Sequence, residues 1–74
     1  ERRINGNIVK QDQIMDKLIE DYPEHWQLRV NSGYIKNQLL DAKGSEKRWE
    51  EALELNPGSY EALTSLVFLH IVSI

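Results

Sequence analysis

The stretch Trp49-Glu50-Glu51-Ala52-Leu53-Glu54-Leu55-Asn56-Pro57-Gly58-Ser59-Tyr60 reads as the end of one helix, a stop and the start of another. Trp49, Ala52 and Leu53 fall at i, i+3 and i+4, the spacing of a single helical face. Pro57 ends that helix, because its ring disfavours helical geometry at the preceding residue and it has no N–H for the ladder. Ser59 is placed to cap the next helix, and Glu61 sits in its first turn, where the helix dipole favours negative charge. Asp21-Tyr22-Pro23-Glu24-His25-Trp26 carries the same punctuation, and Pro23 and Pro57 lie 34 residues apart.

Working outward, residues Ile8 to Tyr22 predict a helix in which Met15, Leu18, Ile19 and Tyr22 keep helical spacing with charge opposite. Before it, Arg2 to Asn7 reads as the tail of a helix followed by a turn, since Asn5-Gly6 is a turn dipeptide. Trp26 to Leu40 predicts a second helix. Gly33 in its interior costs about 1 kcal/mol of helix propensity, which is explained if another helix approaches closely there. Asp41 is placed to cap a third helix, Ala42 to Leu55, with Ser45 as a rival cap. A fourth helix runs from Ser59 to the chain end. Its Leu63, Leu66, Val67, Leu69, His70 and Ile71 leave little polar surface, a pattern that implies burial or a missing neighbour.

Composition narrows the function. Seventy-four residues make at most one small domain, and 41% apolar with 28% charged residues is ordinary for a globular chain. There is no cysteine for a disulfide or a thiolate zinc site. A net charge of −3 gives no basic footprint for nucleic acid. No apolar run approaches the roughly 18 residues of a membrane span. Gly6, Gly33, Gly44 and Gly58 are isolated, so no phosphate loop exists. His25, read as a surface residue, and His70, read as a packing residue, have no nucleophile or paired acid at a triad spacing. The expectation is a chain that is not an enzyme, with no catalytic residue, cofactor or metal.

A shift of 34 residues superimposes the organisation: Glu20 on Glu54, Met15 on Trp49, Leu18 on Ala52, Ile19 on Leu53 and Trp26 on Tyr60. That period, with Gly33, Trp49, Ala52 and the run from Ala52 to Pro57, resembles the tetratricopeptide repeat (TPR) family. The resemblance implies an all-α fold of antiparallel helix hairpins stacked as an α-α superhelix. Residues 8–22 would be the second helix of a partial repeat, with Gly6-Asn7 as its inter-helix turn. Residues 24–57 would be a complete repeat, and 58–74 the first helix of a following one. Gly33 and Ala52 would let two helices cross closely. Arg29 and Lys36 depart from the family pattern, which places apolar or aromatic residues there, and Gln11 replaces an expected small residue.

By the same resemblance the first helix of each unit lines a groove. Gln27, Asn31, Tyr34, Asn37, Gln38 and Phe68 are the candidate partner-binding residues, joined by Glu61, Thr64 and Ser65. Amides offer donors and acceptors to an extended backbone, and the rings offer flat apolar contact. Without a ligand the same face is a solvated polar stripe. A second feature follows the period: Asp12, Asp16 and Glu20, with Glu46, Glu50 and Glu54, predict six carboxylates on an outer face, either solvated or turned to a basic partner. Leu66, Val67, Leu69, Ile71, Val72 and Ile74 form the candidate self-association or neighbour-repeat face, which would make a homo-oligomer. The expected function is protein–protein interaction with a protein or peptide partner, without nucleic acid or membrane. The alternatives are a structural spacer of a larger assembly factor or enzyme, and an RNA-processing scaffold of the half-a-TPR kind.

Overall fold

The structure, a computed structural model, describes residues 6–72. It is all-helical: α1 (Gly6–Asp21), α2 (Trp26–Gln38), α3 (Ala42–Leu55) and α4 (Tyr60–Val72), with no strand among the described residues. The expected all-α class therefore holds. One boundary differs. Gly6-Asn7 is the first turn of α1 and not a loop. No proline stands there to stop the helix, and the exposed polar turn simply continues it. The expected helix tail at residues 2–5 lies outside the described residues.

The connections are short, so consecutive helices pack as antiparallel neighbours. The α2–α3 contacts run in opposite chain directions. Arg29 meets Glu51 at 3.2 Å, whereas the Ser45 hydroxyl donates to the Gly33 carbonyl at 2.7 Å. Contacts also bridge alternate helices. Arg48 on α3 reaches Asp16 on α1 at 2.8 Å, and Ser65 on α4 donates to the Tyr34 hydroxyl on α2 at 3.0 Å. The Cα envelope measures 36 × 34 × 15 Å, a slab two helix layers thick.

Val30, Trp49, Ala52, Ala62 and Leu69 form the core, with Trp26, Leu53 and Leu66 packed against it. Trp49 is its centre. The indole lies directly over Gly33, and a methyl group at Gly33 would overlap it. Its N–H donates to the Val30 carbonyl at 3.1 Å, so the one polar atom of the ring is satisfied inside the core. Gly33 was expected to meet Ala52 at a bare helix crossing. Its closest approach is instead to Trp49, because the missing side chain makes room for a ring.

The helix ends follow local chemistry. The Asp41 carboxylate accepts from the Gly44 N–H at 2.9 Å, capping α3, and the Ser59 hydroxyl accepts from the Ala62 N–H at 3.3 Å, capping α4. Ser45 is no cap; it is fully buried on Gly33. α2 ends in paired bonds from Leu40 N to Asn37 O (3.0 Å) and from Asp41 N to Lys36 O (2.9 Å), a Schellman closure. Leu40 therefore takes a left-handed φ of 64°, a position that favours glycine, while its side chain stays exposed.

Two stability measurements follow, both by urea unfolding monitored by circular dichroism. Gly33→Ala would gain up to about 1 kcal/mol in an open helix; here it loses about 1–3 kcal/mol through the clash with Trp49. Leu40→Gly raises stability by about 1 kcal/mol, because a left-handed cost is removed with little burial lost.

Candidate partner-binding groove

Gln27, Asn31, Tyr34, Asn37 and Gln38 are all exposed on α2, and Phe68 is exposed on α4. Gln27, Asn31, Tyr34 and Gln38 fall at i, i+4, i+7 and i+11, so they form one stripe along the helix. The amide side chains of Gln27, Asn31, Asn37 and Gln38 have no hydrogen-bond partner among the described residues. Their donors and acceptors face solvent.

Tyr34 is different. It is 42% exposed, yet its ring stands edge-on to Trp49, with centroids 5.5 Å apart and planes at 67°, and its hydroxyl accepts from Ser65. It joins the stripe to the core. Phe68, its counterpart one period later, is 62% exposed. Two groove candidates are already engaged. Ser65 is buried against Tyr34, and the Thr64 hydroxyl donates to its own helix at Tyr60 O (2.9 Å) and Glu61 O (3.2 Å). The groove these residues build is an α2 amide stripe flanked by two rings.

The apolar face expected on α4 divides in two. Leu69 is buried in the core and Leu66 packs against it, so both serve this chain and not a partner. A helix that is apolar all round must turn some of those residues inward. Val67, Ile71 and Val72 remain exposed, and Ile74 lies outside the described residues. His70, read as a packing residue, is on the surface, with its Nε2 3.0 Å from Glu46 Oε2. His25 is exposed at the start of α2 and makes no cap bond.

The six carboxylates do not form one patch. Asp12 (2.9 Å) and Asp16 (3.3 Å) both pair with Lys36, and Asp16 also receives Arg48. Arg48 continues to Glu51 at 3.1 Å, and Glu51 to Arg29, whose guanidinium also donates to the Pro23 carbonyl at 2.6 Å. Asp12, Lys36, Asp16, Arg48, Glu51 and Arg29 thus alternate in sign across three helices. Lys36 and Arg48 are only 16% and 19% exposed, so water screens this chain less than it screens a surface pair. Arg29 and Lys36, the departures from the family pattern, are polar clamps where apolar packing was expected.

Among the described residues no three His, Cys, Asp or Glu side chains are grouped to hold a metal, and no helix is long and apolar enough to cross a membrane. No protein-family model, curated protein or solved structure matches this chain.

Burial alone would lower the Lys36 pKa, but the hydrogen bond from Asp12 and the charges of Asp16 and Asp12 outweigh it and raise the pKa above 10.5. A raised lysine stabilises the fold fully below its unfolded value and ceases to do so as pH climbs through the folded value. Stability measured from about pH 9 upward should therefore fall above about pH 10.4 by more in the native chain than in Lys36→Met. Equal slopes would remove the clamp from the account.

Proposed function

We propose that this chain is a non-catalytic helical-repeat segment of TPR type, a protein-interaction module whose amide stripe on α2 takes an extended peptide. Two features recurring at the 34-residue period support the repeat. The turn bond from His25 N to Tyr22 O (3.1 Å) recurs from Ser59 N to Asn56 O (2.9 Å). The pair Asp12–Lys36 (2.9 Å) recurs as Glu46–His70 (3.0 Å). Geometry, and not only residue type, follows the period.

The observation that carries the binding reading is the row of unpartnered amides beside a rigid aromatic. An extended peptide needs donors and acceptors in turn along its backbone, and Gln and Asn supply both from one side chain. Tyr34, held by Trp49 and Ser65, supplies flat contact with little ordering cost. Screening an array of extended peptides against the chain, then titrating the best binder, tests this. Asn31→Ala with Gln27→Ala should weaken that peptide by about tenfold or more and leave the unfolding curve unchanged. Binding that survives the double substitution, or an array with no binder, favours the spacer.

A further inference from the structure

An open groove of about 400 Å³ lies between α3 and α4, lined by Glu50, Leu66, Val67, His70 and Ile71. Moved back by 34 residues, these positions are Asp16, Ser32, Gly33, Lys36 and Asn37. Most of that earlier set forms the seat of α3. Arg48 pairs with Asp16, Trp49 lies over Gly33, and the Ser45 hydroxyl bonds the Gly33 carbonyl. The groove is thus the image, one period on, of a surface that already holds a helix.

The image keeps the charge logic of the original. Lys36 bridges Asp12 and Asp16, and His70 pairs with Glu46, the counterpart of Asp12. Asp16 receives a guanidinium from the helix seated above it. Its counterpart Glu50 is exposed and has no ion pair among the described residues, although it lines the groove beside exposed Val67 and Ile71. The apolar logic changes in one respect. Val67 stands where Gly33 stands, so this seat has no notch for an indole.

We infer that the groove formed by Glu50, Leu66, Val67, His70 and Ile71 is a docking site for a cationic amphipathic helix. That helix brings an arginine or lysine to Glu50 and lays small or branched apolar side chains over Val67 and Ile71. Exposed apolar surface supplies affinity, and the single carboxylate sets phase and orientation. The site is separate from the α2 amide stripe, and neither proposal needs the other.

The probe is a synthetic amphipathic helix of about 18 residues, long enough to hold helical structure in water. It has a Leu/Ala face and one arginine in the phase that Arg48 has on α3; a second peptide carries glutamate there. Titration into the isotope-labelled chain is followed by NMR. The arginine peptide should shift Glu50, Val67, His70 and Ile71 and leave Gln27 and Asn31 unmoved. It should bind about tenfold or more tightly than the glutamate peptide, and Glu50→Lys should reverse that preference. Equal binding of the two peptides, shifts elsewhere, or no response to Glu50→Lys overturns the inference. So does concentration-dependent self-association that occupies the same residues, since the occupant would then be a second copy. Glu50 is exposed, so its variant keeps the fold, and Val67→Glu gives an independent block of the groove.

Discussion

The fold depends on one indole ring resting in the space of one absent side chain. Trp49 fits because position 33 is glycine, and it stays fixed because its N–H finds the Val30 carbonyl. Ser45, one helical turn earlier, adds a second bond to the same stretch of α2 backbone. These contacts set the height and rotation of α3 on α2, and α3 then presents Ala52 to the cluster shared with α4. A small chain buries only about 60% of its unfolded surface, so few side chains contribute to the register. A large aromatic contributes more than any of them.

Around that apolar centre runs a polar frame. Six side chains of alternating charge tie α1, α2 and α3 together, and Arg29 also holds the turn at Pro23. Such pairs add little as isolated surface contacts. Half-buried and shared, they do something else: each charge accepts only an opposite neighbour, so a helix that slipped by one turn would bring like charges together. The frame selects one register, and the indole supplies the attraction.

The legibility of the sequence followed the range of the interactions. The helix limits at Pro23 and Pro57, and the caps at Asp41 and Ser59, depend on a few adjacent residues and were readable from them. Trp49 was readable as a packing residue, though not the ring-on-glycine contact, which joins positions on different helices. The polar frame was invisible for the same reason. Lys36 lies 20 residues from Asp16, and Arg48 lies 32 from it, so periodicity assigned every charge to solvent. On α4 the pattern failed differently. With apolar residues on all sides, nothing in the spacing told that Leu69 faces inward while Val67 and His70 face out. The amide stripe was readable because exposed polar residues at helical spacing are what a solvent-facing side looks like. A bound partner leaves no such local mark.

The two period-related seats also show how a repeated architecture avoids stacking on itself in the wrong order. The seat on α2 combines Gly33 with a buried Ser32 hydroxyl that has no partner, a defect that costs about 1–3 kcal/mol and is offset by the indole above Gly33. The seat on α4 has Val67 and Leu66 at those places. A tryptophan helix laid on α4 would collide with Val67, and a helix shaped for Val67 would leave a void over Gly33. Either error costs energy through overpacking or an empty cavity. The backbone period therefore permits many neighbours, and the side chains at two positions reduce them to one for each seat.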